Sequence, residues 1–300
     1  MQRKPFTVVI IALFLWICTA QAEEAVILGV LAQDGRSNTI KQWSATGEYL
    51  AAHLDRPVEI IPLAFKKFLP AVKNNQVDFF ITDPSMFLSA KIMYSAVPVV
   101  HMTTLGGNRF GGVIFTAANK KKITELQNLQ GKKFGAVERA SFSGWQMAQK
   151  EFADSTIDAH RFFSTLRFFG THSSVVKAVL NRQVDAGTVK TGILEKMAER
   201  GEIKITDFKI LAQKEYTDFP FLVSTALYPE WVLARTAATD ISLANKAATA
   251  LKYLTEGAKA AMDAQYIGWT EPQEDDFSFV EELQKELKIG SYKKINNILY

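Results

Sequence analysis

Four short stretches of this sequence concentrate side chains of the kinds that can hold a small anion. They are Asp34-Gly35-Arg36-Ser37-Asn38-Thr39, Thr82-Asp83-Pro84-Ser85, Ala140-Ser141-Phe142-Ser143-Gly144 and Thr171-His172-Ser173-Ser174. A helix start carries unpaired N–H groups and partial positive charge, so hydroxyls and glycine amides there suit an oxyanion. Ser, Thr and Asp have a second use, as helix caps. Any one of them alone reads as a cap. All four stretches turned toward one cleft read as ligand contacts. His172 follows Gly170-Thr171 at a helix start, where its ring is either a donor to an anion or an ordinary satisfied histidine. Lys190-Thr191 ends a strand, and Lys190 is either a solvated lysine or the cation that closes the cleft. Gln33 stands at the first loop. Phe65 and Phe142 follow strand ends and divide between core packing and ligand stacking. Trp43, Trp145 and Trp231 read as packing.

Other chemistries find no support in the residue types. There is no G-x-S-x-G elbow and no H-E-x-x-H helix. One cysteine and four scattered histidines allow neither a disulfide framework nor Cys/His zinc spacing, so no metal or cofactor is expected. Lys plus Arg number 35 against 31 Asp plus Glu, a net +4 spread along the chain, which lacks the dense basic patch of a nucleic-acid binder.

Stepping along the chain, strands and helices alternate. Ala25–Leu31 is a buried-strand run, 37–54 has helical spacing, 57–63 is a strand, 66–74 a short helix and 77–82 a strand. The alternation recurs from 132 to 189, which argues an α/β fold with largely parallel sheets. The two stretches also echo each other. Residues 71–78 (AVKNNQVD) are answered by 178–185 (AVLNRQVD) at an offset of 107, and Gly29 falls on Gly135 at 106. The offset pairs Phe65 with His172 and Asp83 with Lys190. A repeat this long means two similar lobes rather than a solenoid. Gly106-Gly107 and Gly111-Gly112 mark a crossing between them. After about Phe219, a strand over 221–227 and helices over about 241–265 and 277–287 return the chain to the first lobe. Two crossings make a hinge, and the cleft beside it is the ligand site. A Ser143/His172/Asp83 triad would need residues from opposite lobes, which argues against an exported hydrolase.

Residues 1–22 read as a secretory signal: Arg3 and Lys4, an apolar Phe6–Cys18, then Ala20-Gln21-Ala22. Cleavage after Ala22 leaves 278 residues with no cysteine, bound for the periplasm. Composition is that of a folded chain, 48% hydrophobic and 22% charged. The expected division is 1–22 signal, 23–105 first lobe, 106–219 second lobe, and 220–300 the return with C-terminal helices.

Further motifs are Gly135-Ala136-Val137, Val184-Asp185-Ala186-Gly187-Thr188-Val189-Lys190-Thr191, Leu227-Tyr228-Pro229-Glu230-Trp231, Gly268-Trp269-Thr270-Glu271-Pro272 and Lys285-Glu286-Leu287-Lys288-Ile289-Gly290. With the loops above they span nearly all of 25–292. In this order they resemble the periplasmic phosphate/phosphite/phosphonate-type substrate-binding proteins, and most of all the periplasmic sensor region of tetrathionate-type sensor histidine kinases. The resemblance implies a type II periplasmic-binding-protein fold, two α/β lobes joined by a two-segment hinge, closing on a small oxyanion without catalysis. It implies as partner either the membrane permease of an ABC transporter or a sensor histidine kinase. It places Ser141-Phe142-Ser143-Gly144 at the family's S-T-S-G loop, with Phe142 in the Thr position. A loop histidine of the family matches His172, and an aromatic after the second strand matches Phe65. Kinase-linked relatives carry Arg where this chain has Lys190. The acidic groups that hold an amine in aminoalkylphosphonate binders have no match here. The expected contacts are thus Gln33, Phe65, Thr82, Asp83, Ser85, Ser141, Phe142, Ser143, Gly144, Thr171, His172, Ser173, Lys190 and Thr191. The sensor kinases continue into a membrane helix and kinase domains, which these 300 residues do not contain. The expectation is a free binding protein or part of something longer.

Overall fold

The computed structural model describes residues 24–273 and 277–297; the expected signal segment lies outside the described residues. The chain starts as β1 (Val26–Leu31), α1 (Arg36–Leu54), β2 (Val58–Leu63), α2 (Phe65–Lys73), β3 (Phe79–Thr82), α3 (Pro84–Tyr94) and β4 (Val97–Thr103). A short β5 (Arg109–Phe110) crosses to β6 (Gly112–Ala117) and β7 (Lys133–Ala136). A π-helical turn, Phe142–Gln146, leads into α4 (Met147–Asp154), α5 (Ala159–Phe162) and β8 (Thr165–Phe168). Then follow α6 (His172–Leu180), β9 (Ala186–Lys190), α7 (Ile193–Glu199) and β10 (Phe208–Leu211). The return runs through β11 (Tyr228–Pro229), β12 (Val232–Arg235), α8 (Ile241–Lys252), α9 (Lys259–Ala264), β13 (Gly268–Thr270) and α10 (Ser278–Leu287).

The described strands form two main sheets, ordered β13-β4-β12-β3-β1-β2 and β10-β6-β9-β7-β8. In each, a parallel trio (β2-β1-β3; β8-β7-β9) meets an antiparallel strand, β12 or β6. β5 and β11 pair as a separate ribbon, Tyr228 opposite Phe110, where the two crossings run side by side.

The sequence echo has a physical cause. Asp78 and Asp185 each sit before the third strand of their trio and each accept from the backbone at the first strand's start. Ile27 N–H donates to Asp78 Oδ2 at 2.7 Å and Lys133 N–H to Asp185 Oδ2 at 3.0 Å. Asn75 and Arg182, 107 apart, both take positive φ (48° and 58°) in the turn that precedes these strands. A Cβ on Gly29 would fall 2.8 Å from Val77 Cγ1, and one on Gly135 3.1 Å from Val184 Cγ2. The matched glycines let matched valines pack against the sheet.

Two expected elements differ. Residues 221–227 are not a strand; only Val223 bridges, to Lys214. Side chains replace the ladder there: Ser224 Oγ accepts from Ile114 N–H, and Thr225 Oγ1 accepts from Gly112 N–H. The helix expected over 241–265 is broken into α8 and α9, with Leu254 through Gly257 outside either helix.

Cores form on each lobe. The first buries Phe68 and Phe80 edge to face at 5.4 Å, the second Phe134 against Phe152 at 5.5 Å. Trp145 is in the second core and 1% exposed. The first cluster also takes in Phe142 and Met147 from the other lobe, so apolar packing continues across the hinge.

Candidate functional site

Of the loops singled out in the sequence, 34–39 and 171–174 line a common opening between the lobes, while 82–85 and 141–144 line neither interlobe cavity. Three of their side chains are helix caps. Asp83 accepts from Met86 N–H at 2.9 Å, Ser141 from Gly144 N–H at 3.2 Å and Thr171 from Ser174 N–H at 3.2 Å. Each cap satisfies a donor that the helix cannot, at a typical contribution of about 1 kcal/mol.

His172 opens α6 with its ring entirely shielded. Lys190 N–H donates to its Nδ1 at 3.1 Å, so Nδ1 is an acceptor. Burial, helped by Lys190 and Lys196 and opposed by Asp34, pulls its pKa down to about 4. At neutral pH the ring is therefore uncharged and its proton sits on Nε2. That Nε2 is buried with no hydrogen-bond partner among the described residues. An unpaired buried donor costs about 1–3 kcal/mol, which a ligand oxygen would recover.

Asp83 is 4% exposed, and burial raises its carboxyl to about 7 against the pull of the Met86 and Ser85 amides and the Lys190 charge. Near pH 7 about half of it is a neutral acid able to donate. Thr82 Oγ1 beside it is buried without a partner. Asp83 lies in the first lobe and His172 in the second, and the Lys190 charge reaches both.

Lys190 departs from the expected free cation. Its Nζ pairs with Glu230 Oε2 at 2.9 Å, side chains 15% and 2% exposed, and lies 4.4 Å from the Phe110 ring centroid. Glu230 Oε2 also accepts from Trp231 N–H. The lysine thus ties β9 to the hinge segment, and its charge is matched inside the protein. Glu230 carries no spacing signal in the sequence; it lies within the Tyr-Pro-Glu-Trp motif of the family resemblance.

Three expected contacts point elsewhere. Phe65 packs half-buried against the first core and lines neither interlobe cavity. Phe142, 1% exposed, meets Phe110 at 6.0 Å and Tyr228 at 5.0 Å, filling the space behind the hinge ribbon. The π turn aims it there: Gln146 N–H bonds to Ser141 O five residues back, adding a residue to the turn. Ser85 Oγ donates to Gln146 Oε1 at 2.7 Å and accepts from Gln284 Nε2 at 2.9 Å, so its hydroxyl joins the lobes to one another. Ser143 is 4% exposed. A Cβ on Gly144 would stand 2.5 Å from Val137 Cγ2, so glycine is required for packing.

A cavity of about 380 Å³ lies between the lobes beside the hinge. Gln33, Lys190 and Thr191 line it, as do Trp43 and Trp231, which also pack in the core. A neighbouring, more polar opening is lined by Thr171, His172 and Ser173. Two charged groups line both: Asp34, which opens the first of the four stretches but is not among the expected contacts, and Lys196, which nothing in the sequence gives reason to select. Lys196, on α7, donates to Gln265 Oε1 across the cleft, and burial with Lys190 and Arg200 nearby lowers its pKa to about 8. Among the described residues no cluster of His, Cys, Asp or Glu suits a metal ion, and no helix is long and apolar enough to cross a membrane.

Residues 28–277 match the family described as ABC transporter, phosphonate, periplasmic substrate-binding protein. The chain is 30% identical over 233 residues to a tetrathionate sensor histidine kinase of Salmonella typhimurium, covering 75% of this chain and 38% of that protein. It thus spans under two fifths of that relative's length. Among solved structures it superposes on PhnD1 of Prochlorococcus marinus in complex with methylphosphonate, with a TM-score of 0.75, 13% identity, and coverage of 88% of this chain and 98% of that one. A binding-protein component of an ABC phosphonate transporter from Pseudomonas aeruginosa gives 0.73, 16% identity, and coverage of 87% and 85%. These likenesses fit the two-lobed type II periplasmic-binding fold, as does that to an ancestral arginine-binding protein bound to arginine, at a TM-score of 0.51.

Proposed function

This chain belongs to the family of periplasmic substrate-binding proteins of phosphonate ABC transporters, and from that premise we propose that it binds a small oxyanion between its lobes. The observation that carries the reading is the His172 Nε2–H: a fully buried donor, its tautomer fixed by the Lys190 amide, with no partner among the described residues. Thr82 and Asp83 come from the other lobe, and the Lys190 charge that bears on His172 bears on Asp83 as well. With His172 shielded, a ligand enters only when the lobes part about the β5–β11 ribbon. Closure then converts ligand affinity into a shape that a membrane partner can recognise. In this reading residues 1–22 direct export and are cleaved after Ala22, and no bond is made or broken in the ligand.

The partner divides into two cases. Presentation to an ABC permease follows from the family. Presentation to a sensor kinase is favoured by one observation, the 30% identity to a relative named as a tetrathionate sensor, against 13–16% for the transporter proteins. Calorimetry and thermal shift over phosphate, phosphite, methylphosphonate, sulfate, thiosulfate and tetrathionate test the binding itself. A ligand at a hundredfold excess over its Kd stabilises the fold by about 2.7 kcal/mol. At least one anion should do so, and His172→Ala should lose most of that gain. A flat response to all six would refute oxyanion binding.

A further inference from the structure

The cavity beside the hinge is larger and more apolar than an inorganic oxyanion needs. A four-oxygen anion fills roughly the space of two or three waters, whereas about 380 Å³ accommodates on the order of ten water-sized groups. The remaining volume is walled by Trp43, Met102 and Tyr266 from the first lobe, Ile193 from the second, and Phe221 just past the second lobe. Its charges do not favour an anion: four carboxylates and three cations line it, and Glu230 already holds Lys190. The adjoining opening has the opposite balance, four cations to three carboxylates, with His172 and Thr171 as neutral groups. The two compartments meet at the Lys196–Gln265 contact.

A second observation comes from the surface. Leu105, Met262 and Ile267 are 73%, 61% and 36% exposed, and all three line this same cavity although they come from the crossing loop and from the α9–β13 region. Large apolar side chains gathered from separate segments at one mouth mark a binding surface. An inorganic anion held at His172 would touch none of them.

We infer that the ligand is an organic oxyanion carrying an apolar, ring-sized body: its charged head lies toward His172 and Thr171, and its body fills the hinge-side cavity under Leu105 and Met262. This rests on the oxyanion reading and narrows it to a substrate class. A flat body would lie against these walls, where burying each methylene-sized group is worth about 0.8 kcal/mol. The head and body compartments are separated by the cleft-crossing contact, so lobe closure would clasp the ligand at its middle.

The test compares phenylphosphonate with methylphosphonate by calorimetry, on the wild type and on a Leu105→Ser/Met262→Ser double variant. Both changes lie at exposed positions, and retained methylphosphonate binding is the control for folding. Phenylphosphonate should bind the wild type at least about tenfold more tightly, since a buried ring exceeds the 1.4 kcal/mol that a factor of ten represents. The double variant should lose most of that preference while methylphosphonate affinity stays within about twofold. Equal affinities for the two anions in the wild type would overturn the inference. So would a phenyl preference that survives the double variant, which would assign the exposed rim to a protein partner instead. If neither phosphonate nor any of the inorganic anions binds, the oxyanion reading itself falls and takes this inference with it.

Discussion

His172 and Asp83 are buried titratable groups whose pKa values are displaced in opposite directions, so each conceals the other's effect on stability. His172 falls from 6.5 to about 4 on folding. Between those values a falling pH protonates the unfolded chain but not the folded one, so stability is lost. Each pKa unit is worth 1.36 kcal/mol, and about 2.5 units give about 3 kcal/mol. Asp83 rises from 3.8 to about 7. Between those values a falling pH protonates the folded protein first, so stability is gained, by about 4 kcal/mol over about 3 units. The wild type should therefore be nearly flat, from these two groups, between about pH 4 and about pH 7. Asn at position 83 keeps the helix cap and removes the titration. Asp83→Asn should lose stability steeply on acidification, and His172→Asn should gain it. The assay is urea unfolding of all three proteins at pH steps across that window, without added anion, comparing midpoints at equal m-values. Three parallel curves would show that neither group is held in its displaced state and would refute the electrostatic account of the cleft.

Other consequences follow from single contacts. Lys190→Ala should destabilise by about 3–5 kcal/mol, because it strands the buried Glu230 carboxylate; adding Glu230→Gln should restore part of the loss in chemical unfolding. Asp78→Ala and Asp185→Ala should each cost about 1.5–3 kcal/mol by the same assay, since each carboxylate ties down the first strand of its lobe. Phe65→Ala should lower the unfolding midpoint yet leave anion affinity unchanged in calorimetry, because Phe65 packs on the first core and not in the cleft.

The lobes were legible because repetition is a sequence property. A run that matches at six of eight positions at offset 107 can arise from a shared backbone plan, and Asp78/Asp185 with Gly29/Gly135 show what that plan requires: a carboxylate over a strand start, and room for a valine. Helix starts were legible for the same reason, since Thr171, Asp83 and Ser141 cap by local rules. The pairings were not. Nothing near Lys190 in sequence indicates Glu230, 40 residues on, and nothing near Ser85 indicates Gln146 and Gln284. Such contacts depend on how the lobes meet, which spacing does not encode. Phe142 follows a strand end, a position that leaves core packing and ligand contact equally open. The extra residue of the π turn swings it to the hinge, and that insertion has no composition signature. The strand expected at 221–227 failed because hydroxyls of Ser224 and Thr225 take the place of ladder bonds, a substitution invisible to apolar periodicity.

The central claim is that His172 presents a neutral Nε2–H to a ligand oxygen. Imidazole nitrogen NMR of protein labelled at histidine tests it directly, with only His53, His101, His160 and His172 to assign. The account predicts one ring protonated at Nε2 and bare at Nδ1, unchanged from about pH 5 to about pH 8, whose Nε2–H resonance moves when the tightest-binding anion is added. A His172 ring protonated at Nδ1, or titrating near 6.5, or indifferent to the anion, would contradict it.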